Sequence, residues 1–546
     1  MTATTPTITG TTPYLQAWRR PLAATATTFA ALYGVALAIG LVVMALVRDP
    51  LSEGTSYYVD VARNLVSGRG LVIDAIWSYA TPPLTLPRPA FELWQPMASL
   101  VAAGPMAVLG QSFNAAQLGF VAMGATLAPL AWLVARDTAR AMNLDDRRSM
   151  TVELGAAVLT AISAPLLLAT GAPDSTLPFT VLGVAACLLM PRAAAGDRKH
   201  IVALGIVLGF AYLTRMEAVW LGLAFVVGGL LVGRSVVRSF TSSASVAAVA
   251  AIVALPWWVR NLAVFGTPLP GQVTDNMFLT RNEQIYAFTD PPTLVSFLGQ
   301  GPLAILGNIG GALWHNGVEV LLVSAGPVAL VGLVTVTAAL IGRVALPKKG
   351  PLALLLLSGA ITFGATSVLF PVATLWGTFE HAAGPLHVGL VIAAVIGMDA
   401  FVARVRAWRA WPHSNSWLAP AALAFATLPI VSLALVGAAH AALTDAGRIR
   451  SLAASLPAGT APIVTDRPIW LSRATGRPAL ALPDESPSAI EQLVSRFAAD
   501  LVVVTEPRGG FPAMLRQSDA GPCLTELHLP GVPVESAVFK VNESCR

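Results

Sequence analysis

Charge is the scarcest property of this sequence. Only 12% of its 546 residues are charged, against 55% hydrophobic, and a soluble fold of that length needs far more charged surface. That excludes a soluble protein. Apolar runs recur from near residue 22 to residue 442, each of about the 20 residues a helix needs to cross a bilayer. Histidine is also sparse: the seven His are scattered without metal-ligand spacing. No phosphate loop, nucleotide fingerprint or serine elbow occurs, so neither a soluble nucleotide-dependent mechanism nor a cofactor is expected. The net charge of +5 is small, and no basic stretch carries the aromatic interleaving of a single-strand binder, so no nucleic-acid partner is expected. Residues 1–21 are Thr-rich, and no small-residue cleavage site closely follows the first apolar run, which reads as a retained span.

The apolar runs read as spans over 22–47, 115–135, 151–171, 176–191, 201–214, 216–233, 243–259, 318–341, 351–371, 382–403 and 417–442. With the N-terminus inside, 17 of the 24 basic residues before residue 445 fall on the inner side, as the positive-inside rule requires. This places the C-terminus outside. Residues 91–110 are apolar but interrupted by Pro96, Gly104 and Pro105. Counting them as a span would invert the basic loop that follows, so they read as an interfacial or re-entrant helix in a long first external loop. After residue 445 charges return and apolar runs shorten. The expected architecture is an all-α polytopic membrane domain of about eleven spans (residues 1–444) with a small extracytoplasmic α/β domain (residues 445–546). In that domain "APIVTD", "PALALP" and "LVVVTE" read as strands, and "SPSAIEQLVSRFA" as an amphipathic helix capped by Ser486. No catalytic set is visible there.

Orientation gathers the unusual polar residues on the outer face. As one helix, residues 201–233 would be about 50 Å long, too long for a single span. Two short spans meeting at "TRME" put Arg215 and Glu217 at a recessed external junction, where they line a wet cavity or snorkel at an interfacial turn. In the first external loop, Tyr57, Tyr58, Val61, Ala62 and Leu65 keep helical spacing while Glu53, Asp60 and Arg63 stay polar. This fits a surface helix ended by Gly68 and Gly70. Asp174 sits in a short external turn and also reads as a helix cap before Ser-Thr-Leu-Pro. Arg260 follows the Trp257–Trp258 belt, where an anchor is commoner than a lipid-phosphate ligand. Glu380 and His381 stand beside a span entrance; such a pair is more often structural than catalytic.

Four ordered motifs carry a resemblance: "EGTSYYVDVARNLVSGRG", "APDSTLPF", "LGFAYLTRMEAVWL" and "PWWVRNLAVFGTPLPG". Together they make the chain similar to the GT-C membrane glycosyltransferases, the class of protein mannosyltransferases and aminoarabinose transferases. The resemblance implies transfer of a sugar from a polyprenyl-phosphate donor to a glycan, lipid or protein acceptor on the outer face of a bacterial inner membrane. Carried over by position, Arg215 is the phosphate-facing cation, with Arg260 a weaker second, and Asp174 is the acid of the second external turn. Members usually carry Asp a few residues before the Tyr. Aligning on Tyr58 puts that acid at Gly54, and aligning on Tyr57 puts it at Glu53, with Asp60 a fallback base. Glu217, Glu380 and His381 complete the expected substrate-facing set. A non-catalytic relative that binds a lipid-linked glycan, and a transporter gated by Arg215 and Glu217, are the other readings; the long external loop, the external domain and the lack of clear inverted repeats argue against the transporter. Cys187 reads as buried packing. Cys523 and Cys545, alone in an external domain, are expected to pair.

Overall fold

The computed structural model of the chain describes residues 22–231, 235–269, 272–411, 413–506, 515 and 521–545. Arg19, Arg20 and Arg234, three of the inner-side basic residues, lie outside them. Eight helices among the described residues are long and apolar enough to cross a membrane: Thr25–Leu46, Phe113–Ala141, Thr176–Ala194, Val236–Phe265, Pro302–Leu340, Pro351–Leu369, Gly384–Arg409 and Asn415–Ser455. A ninth crossing is available if Asp146–Ala161 and Ala164–Gly171, bent by 48° at their junction, act as one span. The remaining two expected spans are the helices Arg198–Tyr212 and Ala218–Leu231, of 15 and 14 residues. At 1.5 Å per residue neither reaches the roughly 30 Å of a hydrocarbon core alone. Among the described residues every expected span therefore falls on a helix, and eight of them, or nine with the bent pair as one crossing, have crossing length. The interrupted segment is the 13-residue helix Met97–Leu109 with Pro105 inside it.

Several helices run beyond the stretches read from sequence, two of them furthest. Pro302–Leu340 begins 16 residues before the expected span and contains a π-helical stretch, His315–Val323. It breaks at Gly326, whose φ of 59° and ψ of −138° lie outside the helical range. The last membrane helix, Leu418–Ser455, has 38 residues, about 57 Å by helical rise. It passes through residue 445 without interruption, so the expected domain boundary falls inside a helix and the sheet begins only at Ile463.

Eight short strands follow in chain order: β1 (Val72–Ile73), β2 (Ala75–Ile76), β3 (Arg88–Pro89), β4 (Ile463–Thr465), β5 (Ala479–Ala481), β6 (Leu501–Val504), β7 (Leu524–Glu526) and β8 (Ala537–Val541). β1 and β3 pair antiparallel, and the other six form one sheet in the order β2-β5-β4-β6-β8-β7. Strands β2, β5, β4 and β6 are parallel, and β8 and β7 are antiparallel additions. The three expected strands are β4, β5 and β6, each buried throughout. The edge strand β2 belongs to the first external loop, in register as Ala75↔Ala479 and Ile76↔Leu480. Loop and C-terminal sheet are thus one hydrogen-bonded layer. The amphipathic helix is Pro487–Phe497, but Ser486 makes no side-chain cap; its hydroxyl lies 2.8 Å from that of Ser488.

Beneath that layer the first loop is braced by buried charge. Arg88 and Glu92, with side chains 0% and 2% exposed, pair at 3.3 Å, and Arg88 also donates to the Ser78 and Thr81 carbonyls. On the membrane side, Gly205 and Gly209 let the helix Arg198–Tyr212 approach Val236–Phe265 closely. A Cβ at either position would stand 2.5–2.6 Å from Val249 or Val253. Small residues four apart are what tight helix contact in a membrane demands, and this contact fixes the turn that follows Tyr212.

Candidate active site

That turn, residues 213–217, is the floor of the site. Its backbone is tied to the first loop by the Met97 amide, which donates to the Leu213 carbonyl at 3.0 Å. Arg215 donates from Nη1 to Ser175 Oγ at 2.8 Å, and from Nη2 to Glu217 Oε1 at 2.5 Å and the Thr378 carbonyl at 3.4 Å. Its Nε is buried without a hydrogen-bond partner among the described residues. The guanidinium is therefore held by partners from three separate stretches of chain.

Asp174 arrives from the neighbouring turn. Its Oδ1 accepts from the Thr176 amide at 2.7 Å, the capping contact read from sequence. Its Oδ2 lies 4.0 Å from His381 Nδ1, and that nitrogen is 2.6 Å from Thr176 Oγ1. A cap and a cavity residue are here the same carboxylate.

The first loop supplies the roof through the helix Glu53–Val66. Ser52 caps it by accepting from Thr55, and Glu53 occupies its first turn, where a carboxylate suits the helix dipole. Glu53 Oε1 accepts from the Trp470 amide at 2.9 Å. Tyr58 is buried beside Ser175 and Arg215; burial raises its hydroxyl above the ordinary tyrosine value, and Arg215 opposes that. Thus the predicted surface helix is not on a surface. The C-terminal domain covers it, with Trp470 Nε1 donating to Ser56 Oγ at 2.8 Å.

These pieces enclose a cavity of about 550 Å³. Glu53, Gly54, Asp174, Arg215, Glu217 and His381 all line it, from four separate stretches of chain. Between them stand aromatic side chains, among them Trp77, Trp94, Trp220, Tyr286 and Trp376. The arrangement offers cationic donors, two acids not paired to each other, and flat apolar faces.

With this geometry in place, comparison with known proteins is informative. A family model described as dolichyl-phosphate-mannose-protein mannosyltransferase matches residues 88–259. ArnT from Cupriavidus metallidurans bound to undecaprenyl phosphate superposes over 95% of this chain and 99% of its own, with a TM-score of 0.55 at 14% identity. The same protein in the apo state gives 0.52 at 15% identity over the same shares. The Archaeoglobus fulgidus oligosaccharyltransferase, in complex with Zn and sulfate, gives 0.50 at 14% identity over 87% of this chain and 67% of its own. The chain has the fold of the GT-C membrane glycosyltransferases. No curated protein matches the sequence itself.

Three residues expected at the site of this GT-C fold lie away from the cavity. Arg260 stacks over Trp257 at 4.8 Å and Phe265 at 5.1 Å, and donates to the Ala90 carbonyl at 2.8 Å, bracing the loop behind the site. Its helix leaves the membrane under the first loop, and the nearest acceptor is a backbone oxygen. Asp60 lies about two turns along the same helix from Glu53 and is engaged by Arg63 and, at 3.8 Å, by Arg473. Burial raises its carboxyl above the usual carboxylate range against those two cations. Glu380 is exposed, and only its neighbour His381 reaches the cavity. Conversely, the family-model match ends at residue 259 and includes neither Glu53 nor the C-terminal domain. That domain nevertheless lines the same cavity with Arg467. The sequence "DRPIW" signals only a helix start at Pro468; nothing in spacing links it to Glu53, over 400 residues earlier.

Proposed function

We propose that this protein is a multi-pass membrane glycosyltransferase that takes a sugar from a polyprenyl-phosphate donor. Its site faces the outer side of a bacterial inner membrane. The observation that carries this reading is the convergence of Glu53, Asp174 and Arg215 on one aromatic-lined cavity, in a fold shared with a protein crystallised with undecaprenyl phosphate. Arg215 would meet the donor phosphate with its guanidinium, stabilising the negative charge that develops as the sugar leaves. The acceptor hydroxyl oxygen would attack the anomeric carbon. The bond from that carbon to the phosphate oxygen breaks, with its electron pair going to phosphate. The hydroxyl proton passes to a carboxylate, Glu53 or Asp174. Trp and Tyr faces along the cavity suit the apolar faces of a sugar ring and the first isoprene units.

Deletion of the gene, followed by mass spectrometry of envelope glycans and polyprenyl-linked sugars, tests the proposal. A glycan that loses one sugar while the lipid-linked sugar accumulates, restored by the wild type and not by Arg215→Ala or Asp174→Asn, is the expected result. Unchanged glycans and an unchanged lipid-linked pool would overturn it.

A further inference from the structure

The C-terminal domain presents the carboxyl ends of its parallel strands toward the membrane site. Asp466 and Arg467 follow β4 directly, and Thr505 and Glu506 follow β6. Open parallel sheets place ligand-facing groups at just these ends. The two strand ends are fastened together: Asp466 accepts from the Thr505 amide at 2.8 Å, the Thr505 hydroxyl at 2.9 Å and the Glu506 amide at 3.1 Å. This fixes Glu506, which pairs with the Arg467 guanidinium. Arg467 also stacks over the Trp470 ring at 5.1 Å, and the Trp470 amide is the donor to Glu53 Oε1. Arg467 and Glu53 line the same cavity. Arg467 Nε has no hydrogen-bond partner among the described residues.

We propose that Arg467 is a positioning residue, delivered by the C-terminal domain, that keeps the Glu53 carboxylate ionised and aimed into the cavity. The inference rests on the transferase reading only for what Glu53 then does. The Arg467 and Glu53 charges attract each other across this lining, and a nearby cation favours the charged form of a carboxylate. Other charges bear on Glu53 as well. Asp466 and Glu506 stand on the C-terminal side, with Arg448 3.9 Å from Glu506. Asp60, held by Arg63 and Arg473, is on its own helix. Asp174, His381, Arg215 and Glu217 line the cavity with it. Glu506 shares the Arg467 charge, so removing Glu506 strengthens the hold on Glu53, while removing Arg467 abolishes it.

The test is the pH dependence of dicyclohexylcarbodiimide labelling of Glu53 in the full chain in nanodiscs, read by peptide mass spectrometry, since the reagent attacks the protonated carboxyl. In Arg467→Gln the half-labelling pH should rise by about one unit, and Arg467→Lys should stay near the wild type. In Glu506→Gln it should fall. An unchanged Glu53 profile in a folded Arg467→Gln overturns the proposal. If that variant does not fold, a profile in Glu506→Gln that is unchanged or moves upward overturns it instead. A labelling shift as expected in a protein that transfers no sugar would sink the transferase reading and leave this one standing.

Discussion

At the scale of single residues, the site turns on which polar groups remain available to a ligand. Arg215 already serves Ser175, Glu217 and Thr378, so its planar fork is preset where it lines the cavity. Lysine keeps the charge but not the fork. Undecaprenyl phosphate affinity, measured by isothermal titration, should fall roughly 10- to 100-fold in Arg215→Ala, the loss of a charge-assisted bond, and less in Arg215→Lys. Glu53 poses a different question, because the resembling proteins place their acid one position later in one alignment. Gly54 lines the cavity too, and a Cβ there would find nothing nearer than Ser52 Oγ at 3.7 Å, an ordinary contact. Glu53→Gln should abolish transfer with phosphate affinity nearly intact. Adding Gly54→Asp to that variant should restore part of the activity, because the new carboxylate enters the same cavity from a helix first turn that favours it. No recovery in the double variant would mean that position 54 does not point where the chemistry occurs.

At the scale of elements, the loop that carries Ile285 and Tyr286 is clasped by the C-terminal domain. Glu485 accepts from the amides of Phe288, Thr289 and Asp290 at 2.9 Å and from the Thr289 hydroxyl at 2.7 Å. Arg281 donates to the Asp484 carbonyl at 2.8 Å. The segment so clasped carries Ile285 and Tyr286 into the cavity lining. A carboxylate that gathers successive amides is a strong local tether. In Glu485→Ala, amide hydrogen exchange over residues 283–290 should quicken by roughly tenfold or more, from the loss of charge-assisted bonds. The membrane helices should be unaffected, and a uniform rise across the chain would mean the contact holds the whole fold instead.

At the scale of the molecule, the two regions read from sequence interlock. Strand β2 of the first loop completes the sheet that β4, β5 and β6 form in the C-terminal region, and Trp470 reaches back to Ser56. The far end of that sheet is closed covalently: Cys523 and Cys545 are joined, with Cα atoms 5.7 Å apart across 22 residues. A ring of this size contributes about 3 kcal/mol by loop-closure entropy. Reduction should release the edge strand β7 to limited proteolysis while β4, β5 and the cavity stay protected, because β7 is only partly buried whereas β4, β5 and most of β8 are buried. Loss of undecaprenyl phosphate binding on reduction would mean that the bridge supports the site itself.

The sequence by itself determined what solvent physics dictates locally. Scarce charge and repeated apolar runs require membrane helices, and all eleven expected runs are helical. The charge pair at "TRME" could be placed at a break because one helix over residues 201–233 would be too long for a single span, and Asp174 was legible as a cap. Apolar alternation and turn residues gave β4, β5 and β6. Only the tertiary structure decided contacts between distant segments, because a hydrogen bond leaves no mark on spacing. Nothing in "VIDAI" announces that it pairs with "PALAL". Nothing in "WVRN" shows that Arg260 turns to the Ala90 carbonyl instead of the cavity. Asp60 and Glu53 share one helix and one composition, and what separates them is the neighbour each meets, Arg473 or the Trp470 amide. Arg467 was invisible for the same reason: its meaning depends on a fold that brings residues 53 and 467 to one cavity.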